Sequence, residues 1–125
     1  MNETPIDIVA ALQRRWMKAF GERDVEGLVD LYAEDCFLFG GKPALSSGRA
    51  AVRAYFGALP DEVLHAEFGA QSVRKLGPTV IVSAGFVDFS IVDAAPLAYR
   101  ISLTIAQADG DWKIASHHAS PVPGP

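Results

Sequence analysis

Cysteine is nearly missing from this chain: Cys36 stands alone, so no internal disulfide can form and the fold must rest on an apolar core, as suits a reducing compartment. Basic clusters are missing too. Lys and Arg number 11 against 15 Asp and Glu, a formal net charge of −4, and Arg14-Arg15 and Arg74-Lys75 are the only adjacent pairs. A phosphate backbone needs a clustered basic face, so nucleic acid is excluded as a partner. No run approaches the roughly 20 apolar residues of a membrane-spanning helix, and Met-Asn-Glu-Thr-Pro lacks the basic and apolar regions of a secretion signal. We expect a cytoplasmic protein with no membrane partner.

Cofactor and metal motifs are also lacking. The glycines never form a phosphate-binding loop between a strand and a helix, so no cofactor is expected. Asp109-Gly110-Asp111 lacks the further oxygen ligands of a calcium loop. His117 and His118 are adjacent on a predicted strand, point to opposite faces and cannot chelate one ion, so no metal is expected.

What is present is a globular composition: half the residues are hydrophobic and 21% are charged. Residues 1–125 fit one domain, with 121–125 as an extended tail, since the prolines after Ser120 cannot donate to a sheet. Apolar residues at three- and four-residue spacings from Ile6 to Phe20 predict an amphipathic helix over 6–22. Asp24 caps a second short helix running to about Ala33, and Ala51, Val52, Tyr55, Phe56 and Leu59 define a third over 49–59. Cys36–Phe39 reads as a strand between the second and third helices. Four more strands follow, at about 63–75, 79–92, 97–107 and 111–119, with Asp109-Gly110 as the clearest hairpin turn. The fold class is α+β in the order ααβαββββ, a curved antiparallel sheet packed on three helices.

The segments Trp16–Phe20, Asp24–Leu28, Leu31–Asp35, Gly48–Phe56, Asp109–Ile114 and His117–Ser120 together resemble the nuclear transport factor 2-like superfamily, with its cone-shaped cystatin-like fold. Within it they are similar to the SnoaL-like group and to bacterial relatives of the calcium/calmodulin-dependent kinase II association domain. The resemblance implies a homodimer through the outer sheet face and a pocket between the helices and the inner face. It implies no single activity, because this frame hosts isomerases, cyclases, dehydratases, hydrolases and binding modules.

Candidate pocket residues follow. Arg100 matches an arginine that lines the pocket in association-domain relatives; it would clamp a carboxylate-bearing ligand or, alternatively, pair internally with Asp88. His118, taken to share a face with Trp112 and Ile114, is expected to point inward as a core residue, a pocket donor or a catalytic base; His117 is expected at the dimer seam or in solvent. Trp16, Phe20, Tyr32, Tyr55 and Phe56 would surround a pocket if the helices pack as the resemblance implies. Aligned through Asp24 and Asp35, the places of a ketosteroid isomerase's base and oxyanion-holding tyrosine hold Gly40 and Trp16, which removes that reaction. The Asp–His pairing of scytalone-dehydratase-like relatives is not recognisable either. The expectation is a homodimeric domain binding a small acidic or hydrophobic metabolite. The alternatives are an acid–base enzyme using His118 and Arg100, or a purely structural dimerisation module.

Overall fold

A computed structural model describes residues 3–124. Helix α1, Pro5–Gly21, begins where its sequence says it should: Thr4 and Asp7 form a reciprocal capping box, and Pro5 opens the first turn. Its buried face carries Val9, Leu12, Gln13, Trp16, Ala19 and Phe20, and it lies against the third strand. Asp24 caps α2, Val25–Val29, by accepting from the Gly27 amide. Helix α3 spans Arg49–Gly57 and buries Val52 and Phe56.

Six strands form one open, curved sheet in the order β2-β1-β6-β5-β4-β3. They are β1 (Tyr32–Phe39), β2 (Ser46–Ser47), β3 (Val63–Gly77), β4 (Val80–Ile91), β5 (Ala94–Ala108) and β6 (Asp111–Pro121). The four long strands are an antiparallel meander, as expected, and β1 joins it in parallel beside β6. The β5–β6 hairpin turns on Asp109 and Gly110, both at positive φ. Midway along β3 a bulge between Phe68 and Gln71 sits opposite Gly85, where any Cβ would collide with the Ala70 carbonyl oxygen. Gln71 bridges the irregularity by donating to the carbonyls of Gly69 and Phe86.

Three boundaries differ from expectation. The second helix stops at Val29 rather than near Ala33, because the Leu31 carbonyl accepts from the Ile114 amide and Tyr32 pairs beside Ile114. Sheet pairing overrides helix propensity there, and Tyr32 belongs to β1. The segment Asp93–Pro96 is no loop: Ile91 pairs with Ala94 across a two-residue turn in which Asp93 takes φ 55°. The tail also pairs farther than its prolines imply. Pro121 lies opposite Tyr99 and the Val122 amide donates to the Ala98 carbonyl, since the missing proline donor falls where none is required.

One irregularity decides the functional site. Ile105 pairs with Ile114 but Thr104 pairs with Ser116, so β6 carries an extra residue at Ala115. The bulge reverses the side-chain alternation beyond it, and the inward positions become Ile114, His117 and Ala119.

Candidate functional site

Between the helices and the inner face of the sheet lies a cavity of about 310 Å³. Trp16 and Phe20 from α1, Tyr55 and Phe56 from α3, Phe89 from β4 and Tyr99 from β5 form most of its aromatic wall. The aromatic packing is continuous. Trp16 stacks on Phe20 at 4.9 Å between centroids and meets Phe56 edge-on at 6.0 Å; Phe89 meets Tyr99 edge-on at 5.2 Å.

Two sets of polar groups line this apolar space. In the first set the Tyr55 hydroxyl accepts from the Gly41 amide at 2.8 Å, and a Cβ placed on Gly41 would lie 3.6 Å from the Tyr99 hydroxyl and 3.8 Å from that of Tyr55. Both hydroxyls therefore lie beside Gly41. Lys42 Nζ stands 5.8 Å above the Tyr55 ring, and half-burial raises the Tyr55 phenol's pKa. A Cβ on Gly40 would overlap the Tyr55 hydroxyl, so any larger residue there would have to displace the Tyr55 ring.

The second set centres on His117, 6% exposed, brought to the cavity wall by the β6 bulge. Its Nδ1 is 2.8 Å from the hydroxyl of Tyr32, which is wholly buried behind it, and the indole N–H of Trp16 donates to the same hydroxyl at 3.0 Å. Burial lowers the His117 pKa to about 4, with His118 adding a smaller unfavourable charge, and raises the Tyr32 phenol's pKa. At neutral pH both groups are therefore uncharged.

The structure redistributes the expected residues. Trp16, Phe20 and Tyr55 line the cavity; Tyr32 stands behind it as the partner of His117 and Trp16. His118 is not an inward residue: the Ala115 bulge turns it to the outer face, where it is exposed and packs beside Phe39 at 5.4 Å. Arg100 is likewise exposed on the outer face, in register with Phe86 and Ser120, while its neighbours Tyr99 and Ile101 face inward. It lines no part of the cavity, and among the described residues it forms no salt bridge with Asp88 or any other carboxylate. Both readings of Arg100 assumed a buried guanidinium, and the strand's alternation removes that premise.

Sequence reasoning missed His117, Tyr99 and Lys42 as site residues. Tyr99 was detectable, since it occupies an inward odd position of β5. Gly40 and Trp16, aligned with an isomerase's base and oxyanion donor, both line the cavity, so it faces those positions without those groups. No carboxylate lines it among the described residues, and Cys36 is buried with its thiol pKa raised by burial.

The profile of the SnoaL-like domain matches residues 9–125. A structure from Xanthomonas campestris, provisionally described as a calcium/calmodulin-dependent protein kinase II association domain, is 25% identical with a TM-score of 0.87, covering 97% of this chain and 90% of that one. A protein of unknown function with a cystatin-like fold from Nostoc punctiforme is 15% identical with a TM-score of 0.82, covering 98% and 96%. A protein from Novosphingobium aromaticivorans, provisionally named a scytalone dehydratase, is 14% identical with a TM-score of 0.77, covering 94% and 84%. At the identities of the last two, the likeness shows fold alone. No curated protein sequence matches this chain.

Proposed function

Since this chain belongs to the SnoaL-like domain family, we propose that its inner cavity binds a small, mainly apolar metabolite, and that the protein works as a cytoplasmic ligand-binding domain. The observation that carries this reading is the cavity itself: mainly aromatic and apolar walls around about 310 Å³, with few polar groups among the lining residues. Binding pockets typically combine an apolar lining with a few placed polar groups, and this volume lies at the small end of their range. The position of Arg100 moves the preference from acidic toward hydrophobic metabolites, with Lys42 as the only cation among the lining residues described.

A thermal-shift screen against small hydrophobic metabolites tests the proposal. A ligand at a hundred times its dissociation constant stabilises by about 2.7 kcal/mol, a shift of several degrees for a domain of this size. Ala119→Leu fills part of the cavity beside His117 and is expected to abolish the shift while leaving the protein folded. A screen without hits, or a shift that Ala119→Leu leaves intact, would sink the assignment.

The homodimer is proposed on a separate observation. On the outer sheet face the exposed aromatics Phe37, Phe39 and Phe86 flank small or polar residues, including Ala84, Ser102 and Ser116. Such a face suits a self-complementary seam, with His118 inside it. Sedimentation should show a dimer that Phe86→Glu converts to monomer; a monomeric wild type at micromolar concentration would refute it.

A further inference from the structure

We infer that His117 presents a neutral Nε2–H donor to the cavity, fixed in that tautomer by Tyr32 and Trp16, so that the site selects apolar ligands carrying a carbonyl oxygen. This rests on the cavity's being a binding site and adds what that site reads.

The protons of three buried groups fix the tautomer. The indole N–H of Trp16 can only donate, so the Tyr32 oxygen accepts it. The Tyr32 hydroxyl then holds one proton of its own, and within hydrogen-bond reach the acceptor for it is His117 Nδ1. Were Nδ1 to carry the proton instead, it would donate to the Tyr32 oxygen and leave the phenolic proton with nothing to bond, inside a residue with 0% exposure. An unsatisfied buried donor is costly, so Nδ1 accepts and the ring proton sits on Nε2.

Nε2 has no hydrogen-bond partner in the protein among the described residues, while the His117 side chain lines the cavity. A cavity-wall donor that meets no protein acceptor is free to bond a ligand. A carbonyl oxygen satisfies it. An amine or other donor presented there would meet an N–H, and an alkyl group would leave the N–H bare. The same arrangement disfavours a base role: in this tautomer the nitrogen facing the cavity already holds its proton, and the nitrogen with the lone pair is occupied by Tyr32. The chain Trp16 to Tyr32 to His117 polarises in one direction, which strengthens the terminal donor.

The test has two arms. Long-range proton–nitrogen correlation spectra of the ligand-free wild type should show a pyrrole-type nitrogen at ε2 and a pyridine-type nitrogen at δ1 of His117 at neutral pH. The reverse pattern overturns the inference and leaves the binding proposal standing. In the second arm, titrations compare 2-acetylnaphthalene with 2-ethylnaphthalene, which has a similar shape without the oxygen. One hydrogen bond of this kind predicts about tenfold tighter binding of the ketone. His117→Asn keeps an oxygen for the Tyr32 hydroxyl and deletes the Nε2–H; it should erase the tenfold difference between the two probes, whatever it does to the affinity they share. Equal binding of both probes to the wild type overturns the inference alone. Binding of neither overturns the binding proposal and this inference with it.

Discussion

Tyr32→Phe is expected to lower stability by about 3 kcal/mol, far more than the loss of one hydroxyl ordinarily costs. The deletion leaves two buried partners behind. The Trp16 N–H loses its acceptor and His117 Nδ1 loses its donor, with Trp16 3% exposed and His117 6% exposed, so water cannot readily replace either contact. Each orphaned group costs roughly 1–3 kcal/mol. Phenylalanine retains the ring, so packing against Phe56 at 6.0 Å and the stack on His117 at 6.0 Å persist, and the measured loss reports the hydrogen bonds. For a domain of this length the melting temperature should fall by roughly 10 °C. A double-mutant cycle with Trp16→Phe separates the two contacts: once the indole N–H is gone, Tyr32→Phe should cost appreciably less. Additive effects would mean that the Trp16–Tyr32 bond carries no stability.

The hydroxyl is consequential because of a strand position that the sequence disguises. Leu31 and Tyr32 continue a helical pattern from Asp24, and nothing local separates a two-turn helix from a short one followed by a strand. The deciding contact, the Ile114 amide on the Leu31 carbonyl, links residues far apart in the chain. The broader frame was readable from local information. The α1 apolar stripe, the Asp24 cap and the Asp109-Gly110 turn express intrinsic backbone and burial preferences, and each stands where those preferences put it. The cavity wall was partly readable for the same reason: Trp16, Phe20 and Tyr55 occupy the buried sides of amphipathic helices.

The place of His117 in it was not readable, because one bulge governs it. Strict alternation from Trp112 and Ile114 sends His118 inward, and Ala115-Ser116 contains neither a glycine nor a large apolar residue to mark the inserted position. Arg100 shows the opposite difficulty. The odd-position apolar pattern of β5 already placed it outward, and the resemblance to arginine-lined pockets pointed the other way. Alternation along a regular strand was the sounder guide there; across the irregular β6 it failed.

The exchange of His118 for His117 changes how stability depends on pH. Burial lowers the folded-state pKa of His117 to about 4, against about 6.5 in an unfolded chain. Between those values the unfolded chain binds a proton that the folded protein refuses, so stability rises with pH through the window. The contribution is complete above about pH 6.5 and is lost progressively as the pH falls toward about 4, in total on the order of 3 kcal/mol. The hydrogen-bond geometry supports that sign. Protonation would place a second proton between Nδ1 and a hydroxyl that already donates there, while Trp16 offers only another donor. Urea unfolding between about pH 7 and about pH 4.5 measures the effect, with His117→Asn as the reference, since an amide does not titrate. Surface carboxylates act alike in both proteins, so the difference between the two curves isolates His117. A wild-type curve that parallels the variant would mean the imidazole gains its proton in the folded state as readily as in the unfolded one, and the neutral donor facing the cavity would go with it.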